Sequence, residues 1–266
     1  MLQFHIYPGG KRRIVTFSYD DGSENDPRLV ALFNKYGVKG TFHINSFRLP
    51  GMTDEQRRAY AARYDGHEIS CHTVNHGWPT RMLSTSLVGE VMEDRKRLEE
   101  IAGYPVVGMS YPSGDFDDRV EATLAACGIV YSRTTRATMG FRIPDDWLAW
   151  HPTCHNRDAA GPVEKFLKGL DSQWENPLLY IWGHSHEFRT EEDWAKMENL
   201  VASLANLPQV WYATNREIYD YIEATRRILV STDEKILTNP SSIDVWVERD
   251  KKEIFTIPAG QTVTLP

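Results

Sequence analysis

Sulfur is scarce in this chain. Its 266 residues include three cysteines, Cys71, Cys127 and Cys154, widely spaced and without a Cys-x-x-Cys pair. An odd count at such spacing argues against a disulfide framework and fits a reducing compartment. Long apolar runs are missing as well: no stretch approaches the length that crosses a bilayer, so no membrane partner is expected. Positive charge is not in excess. Thirty Lys and Arg face 37 Asp and Glu, a formal net charge of −7, which argues against nucleic acid and anionic membrane surfaces as partners. The opening stretch, MLQFHIYPGGKRRIVTFSYDDG, has no apolar leader core, and its basic residues follow a Pro-Gly-Gly turn; the expected location is the cytoplasm. No internal repeat or low-complexity tract is present.

What is present suits an ordinary soluble globular protein. Hydrophobic residues make up 41% and charged residues 25%, and the length fits one large domain with room for a small appendage. Short apolar segments alternate with amphipathic ones. Strands are expected at 14–19, 38–45, 67–72, 106–112, 129–134, 147–154, 177–184 and 209–214. Between them lie helical patterns at 26–37, after Thr53, at 84–103, 118–128, 162–172 and 190–206, with a last one at 216–229. Such alternation implies a parallel sheet with right-handed crossovers. Seven or eight units predict an α/β fold, a distorted (β/α)7-8 barrel over residues 1–236. From about 237 the pattern changes to SSIDVWVERDKKEIFTIPAG, whose alternation around Arg-Asp-Lys-Lys predicts a β-hairpin appendage over 237–266.

In a parallel barrel, chemistry sits where strands end and loops begin. The titratable residues gather there: Asp20 and Asp21 before Gly22, His72 and His76 after HEISCH, His151 and His155 around WLAWHPTC, and His184 and His186 after PLLYIW. His72 and His76, four apart, would share one face of a helical turn and reach one ion. A carboxylate from a neighbouring strand would complete two His and one Asp, a set that leaves positions open for water. Of the Asp20–Asp21 pair, one can bind the ion while the other acts as general base. His184 suits a general acid; His186 has similar reach, and Glu187 could orient either.

These residues resemble the polysaccharide deacetylases, the carbohydrate esterase family 4 or NodB-homology group. Ser18-Tyr19-Asp20-Asp21-Gly22 is similar to the family's TFDDG motif. His72 to His76, preceded by Gly66-His67-Glu68-Ile69, is similar to its HxxxH motif. Gly40-Thr41-Phe42-His43, Gly128 to Arg133 and Leu178 to His184 match further strands, and the likeness spans about residues 12–225 in the family's order. The resemblance implies a distorted barrel that hydrolyses an acetamide with a divalent metal, usually zinc, with cobalt, nickel or manganese as alternatives. It implies Asp21, His72 and His76 as ligands, Asp20 as base and His184 as acid. It also implies the Ser113 amide as oxyanion donor, from the segment Ser110-Tyr111-Pro112-Ser113.

The departures are local. The family's motif arginine is Ser110 here, and Arg133 is the candidate replacement. Asp146-Trp147 has the letters of the family's Asp-Trp motif but precedes its strand, so His155 is the other candidate to support His184. The expected function is hydrolysis of an amide C–N bond, foremost deacetylation of a small or oligomeric N-acetylated saccharide. A cyclic amide or ureide hydrolase and an inactive carbohydrate-binding member are the alternatives.

Overall fold

The computed structural model describes residues 1–172 and 177–266. Strand β1 (Leu2–Gln3) precedes β2 (Arg13–Asp20), which is buried along its whole length. Then follow α1 (Asp26–Tyr36), β3 (Gly40–Ile44), α2 (Asp54–Ala62), β4 (Glu68–Cys71), α3 (Ser84–Ala102) and β5 (Gly108–Ser110). The chain continues through α4 (Asp118–Ala126), β6 (Tyr131–Arg133), β7 (Cys154–His155), α5 (Ala160–Lys168), β8 (Leu178–His184), α6 (Glu191–Leu204), β9 (Val210–Tyr212) and α7 (Asn215–Arg226). Local chemistry sets several boundaries. Thr53 with Gln56, Thr190 with Asp193 and Thr214 with Glu217 form capping boxes at the starts of α2, α6 and α7. Gly37 and Gly103 end α1 and α3 in the left-handed conformation.

The main sheet runs β6-β5-β4-β3-β2-β8-β7, with β9 beside the first half of β2. Its pairings are parallel. The segment 147–154, expected as one strand, is not one. Trp150 bridges Arg133 of β6, and only Cys154 and His155 pair with β8. Pro152 lies between the two contacts and has no N–H to give a ladder. The ring therefore closes between β6 and β8 through irregular chain, which makes this a distorted (β/α) barrel.

Strand alternation separates two environments. Val15, Phe17 and Tyr19 of β2 join Leu29, Phe33 and Phe42 in the main apolar cluster beneath the helices. Thr16, Ser18 and Asp20 face the other way, in register with Tyr180, Trp182 and His184 of β8. That inner side is polar, and part of it is bonded to itself. Thr16 Oγ1 lies 3.1 Å from Asn215 Oδ1, Thr41 Oγ1 donates to Glu68 at 2.9 Å, and Tyr131 donates to the same carboxylate.

Past α7 come β10 (Leu229–Val230), β11 (Ile236–Thr238), β12 (Val245–Arg249), β13 (Glu253–Ile257) and β14 (Thr262–Thr264). They form two antiparallel sheets, β1-β12-β13 and β10-β11-β14. The expected hairpin is β12–β13. The strands begin at Leu229, ahead of residue 237, and β1 from the other end of the chain joins them. Leu237, Val245, Val247 and Ile257 pack with Ala224 of α7. Tyr221 of α7 ties the parts together, donating to Ile6 O at 2.6 Å and accepting from Trp246 N at 3.0 Å. Among the described residues no helix is long and apolar enough to cross a membrane.

Candidate active site

Register brings the first groups together. Asp20, the last residue of β2, lies beside His43 of β3 on one side and His184 of β8 on the other. The chain then turns sharply, with Asp21 at φ 79° and Gly22 at φ 61°. A Cβ on Gly22 would come within 2.9 Å of Ile44 Cγ2, so both the turn and the close packing require glycine there. The turn breaks strand alternation, and consecutive carboxylates can both serve the barrel mouth.

His72 and His76 meet on a different backbone from the one expected. Residues 72–78 form an irregular loop, not a helical turn, with Thr73 at φ 61° and His76 at φ 53°. Asn45 holds this loop by donating from Nδ2 to the carbonyls of His72, at 2.6 Å, and Thr73, at 3.0 Å. Asp94 of α3 accepts from the amides of His72, at 2.9 Å, and Ser46, at 3.0 Å. The two imidazoles stand 4.8 Å apart, and Asp21 Oδ1 lies 3.6 Å from Nε2 of each. Non-glycine residues at positive φ are costly and gather where function holds them; Asp21, Thr73 and His76 are three of them at one site.

These three residues fit a metal ion. His72 Nδ1 lies 2.8 Å from the Ser110 carbonyl, which can only accept, so the ring hydrogen sits on Nδ1. Nε2 then carries its lone pair towards Asp21, buried and without a hydrogen-bond partner among the described residues. Burial also pushes the His72 imidazole towards its neutral, ligating form, against the pull of Asp20 and Asp21. One carboxylate and two imidazoles, with donor atoms within 4.8 Å of one another, form the set that holds divalent metals at catalytic sites.

Asp20 is held differently. Ser110 Oγ donates to its Oδ1 at 3.0 Å, and the guanidinium of Arg133 donates to its Oδ2. Arg133 is fully buried, its guanidinium 4.3 Å above the Trp182 ring. Burial alone would raise the Asp20 carboxyl; Arg133, then His72 and His43, outweigh it and hold the group well below the usual carboxylate range.

The match to known proteins is concentrated on this half of the site. The polysaccharide deacetylase family model matches residues 8–132, which contain Asp20, Asp21, His72, His76 and Ser110. Over that segment the chain is similar to the polysaccharide deacetylase family. A chitin deacetylase of Cryptococcus neoformans is 29% identical over 161 residues, which are 60% of this chain and 34% of that protein. A peptidoglycan-N-acetylglucosamine deacetylase of Bacillus cereus is 26% identical over 121 residues, 44% of this chain and 54% of that one. The chain thus spans about a third to a half of the length of these curated relatives. In fold it is similar to a crystal structure from Mycobacterium smegmatis assigned to the polysaccharide deacetylases. The TM-score is 0.62 at 18% identity, covering 83% of this chain and 93% of that one.

The rest of the candidate site lies beyond the matched segment. His184 Nδ1 is 3.2 Å from Glu187 Oε1, and His155 Nε2 is 3.2 Å from Glu187 Oε2. Burial would lower the His184 imidazole; the hydrogen bond to Glu187, with Asp20 and Asp21, outweighs it and raises the group above its ordinary value. Asp146 does not reach this cluster. It is exposed and accepts from Leu148 N at 2.8 Å, while Trp147 packs on Trp150 and Tyr219 and donates to Glu223. The support assigned to Asp146 is therefore corrected: an Asx turn fixes it ahead of the closing segment. His151 contacts Thr134 Oγ1 at 2.6 Å, outside the cluster, and His186 lies 3.7 Å from Asp21 Oδ2. Ser113 sits in the turn after β5 at φ 57°, three residues beyond Ser110.

Asp94, Asn45 and Trp182 do not stand out in the sequence as parts of a site. Asp94 does carry a signal, because it occupies the buried stripe of α3 between Leu87, Val91, Leu98 and Ile101, where an acid has no place unless it is bonded.

Proposed function

We propose that this protein is a metal-dependent amide hydrolase that removes the acetyl group from an N-acetylated saccharide. The observation that carries the reading is the Asp21–His72–His76 set beside a separately held carboxylate, Asp20, in a chain similar to this family. Asp21, His72 and His76 would hold a divalent ion, zinc in the first instance. Bound there, the ion would polarise the acyl carbonyl and acidify water.

The chain's own groups divide the remaining work. Asp20, kept ionised by Arg133, takes the proton from the attacking water. Ser110 and Arg133 hold the two oxygens of Asp20, so the base is oriented before substrate arrives. His184, whose charged form is favoured, gives a proton to the leaving amine. The Ser113 amide is the proposed donor to the developing oxyanion. Base and acid come from adjacent strands, at paired positions of β2 and β8. A cleft of about 560 Å³ adjoins Asp21, walled by Asn25, Asn45, Phe47, Arg48 and His186, with room for a sugar ring.

The test is acetate release from N-acetylated glucosamine oligomers by protein of measured metal content. Near-stoichiometric metal with acetate release is expected. Metal-loaded protein that frees no acetate from any N-acetylated saccharide would sink the reading.

A further inference from the structure

Outside the metal triad, one cluster of titratable groups joins His155, Arg157, Glu187 and His184. Arg157 donates to His155 Nδ1 from its Nε at 3.1 Å and from its backbone N at 3.3 Å. His155 Nδ1 is thus an acceptor, so the neutral ring carries its hydrogen on Nε2. That nitrogen lies 3.2 Å from Glu187 Oε2, an ion-pair contact out of hydrogen-bond alignment. Glu187 Oε1 faces His184 Nδ1 at 3.2 Å and takes a bond from Arg157 Nη2 at 3.1 Å. An ionised carboxylate only accepts, so His184 carries a hydrogen on Nδ1 and leaves Nε2 for the substrate.

We propose that Glu187, itself oriented by His155 and Arg157, is the positioning residue that fixes the His184 ring and makes Nε2 its proton-delivering atom. The proposal rests on the reading of His184 as the acid and goes beyond it, naming what aims the ring where Asp146 does not. Three further observations support it. Glu187 lies in the same short turn, Ser185–Glu187, that follows His184, so the carboxylate and its imidazole move together. His155 comes from the neighbouring strand and is buried edge-on against Trp182 at 4.7 Å, so the anchor is rigid. Burial would raise the Glu187 carboxyl; the close contacts of His155 and His184 outweigh it and hold the group well below the usual carboxylate range, in the accepting form. The donor atoms of His155, His184 and Glu187 lie within 4.8 Å of one another and could in principle take a cation. The Arg157 guanidinium already supplies a positive charge on that carboxylate, so hydrogen bonding is the better account.

The experiment reads the tautomers directly, by long-range proton–nitrogen correlation on the full chain labelled at histidine. In the wild type the neutral His184 ring is expected to be protonated at Nδ1 and His155 at Nε2. Glu187→Ala should lose the Nδ1 preference of His184 and lower kcat about 100-fold with KM nearly unchanged. The alkaline limb of its pH–rate profile should move to lower pH. Glu187→Asp should recover part of kcat, and the exposed Arg157→Ala should lose less than Glu187→Ala, because the backbone amide still holds His155. An unchanged His184 tautomer in Glu187→Ala overturns the proposal, whatever the activity. Full activity of His184→Ala would instead remove the acid assignment, while the tautomer result still decides what Glu187 does.

Discussion

At the scale of the residue, two carboxylates one peptide apart have been given different tasks by different partners. Asp21 faces two imidazole nitrogens, whereas Asp20 faces a hydroxyl and a guanidinium. Asp20→Asn is expected to reduce kcat by at least about 100-fold while metal content by elemental analysis stays at the wild-type level. His72→Ala should lower metal content, and unchanged stoichiometry would take that residue off the ligand set. Arg133→Lys keeps the charge but loses the planar fork and the stacking on Trp182. It should cost about tenfold or more in kcat, with little change in bound metal. The residues of this centre that stand near one another in sequence, Asp20-Asp21-Gly22 and His72 to His76, are legible without a structure because their spacing is itself chemical. Arg133 is visible only as a candidate. Its partner lies 113 positions away, and a contact of that span is written in the fold, not in local pattern.

At the scale of the element, the loop after β4 shows how a correct grouping can rest on the wrong backbone. Four-residue spacing suggests a helical face, yet convergence here comes from two left-handed residues held by Asn45 and Asp94. Asp94→Asn replaces one accepting oxygen by a donor facing a backbone amide. It should weaken metal binding about 10- to 100-fold in competition with a chelator, with helix content unchanged in circular dichroism. The helices themselves are well legible, since capping boxes and terminal glycines are short-range chemistry. The seventh strand is not, because apolar letters at 147–154 do not reveal that Trp150 and His155 serve different neighbours. Asp146 misleads for the same reason: two letters match a motif, while the turn that holds them points elsewhere.

At the scale of the whole molecule, buried carboxyl groups carry an acid-base cost. Burial pushes Glu68 up to about 7 and Asp26 up to about 7, against hydrogen bonds that pull both down. From the unfolded carboxyl range of about 4 to the folded value, the native chain keeps protons that the unfolded chain has released. The contribution of these two groups to stability should therefore fall as pH rises through that window and level off above it. The difference in thermal unfolding between the wild type and Glu68→Gln from pH 5 to 8 checks this: the variant should lack that residue's share of the slope. The same scale reveals something about time. Leu2 and Gln3 of β1 pair with Arg249 and Glu248 of β12, and the central strand β2 takes its neighbours β8 and β9 from much later in the chain. A chain emerging from the ribosome would present β2 long before most of its partners exist, and contacts so distant form slowly. Strand β1, whose partner β12 comes so much later in the sequence, is expected to be among the last to find its place.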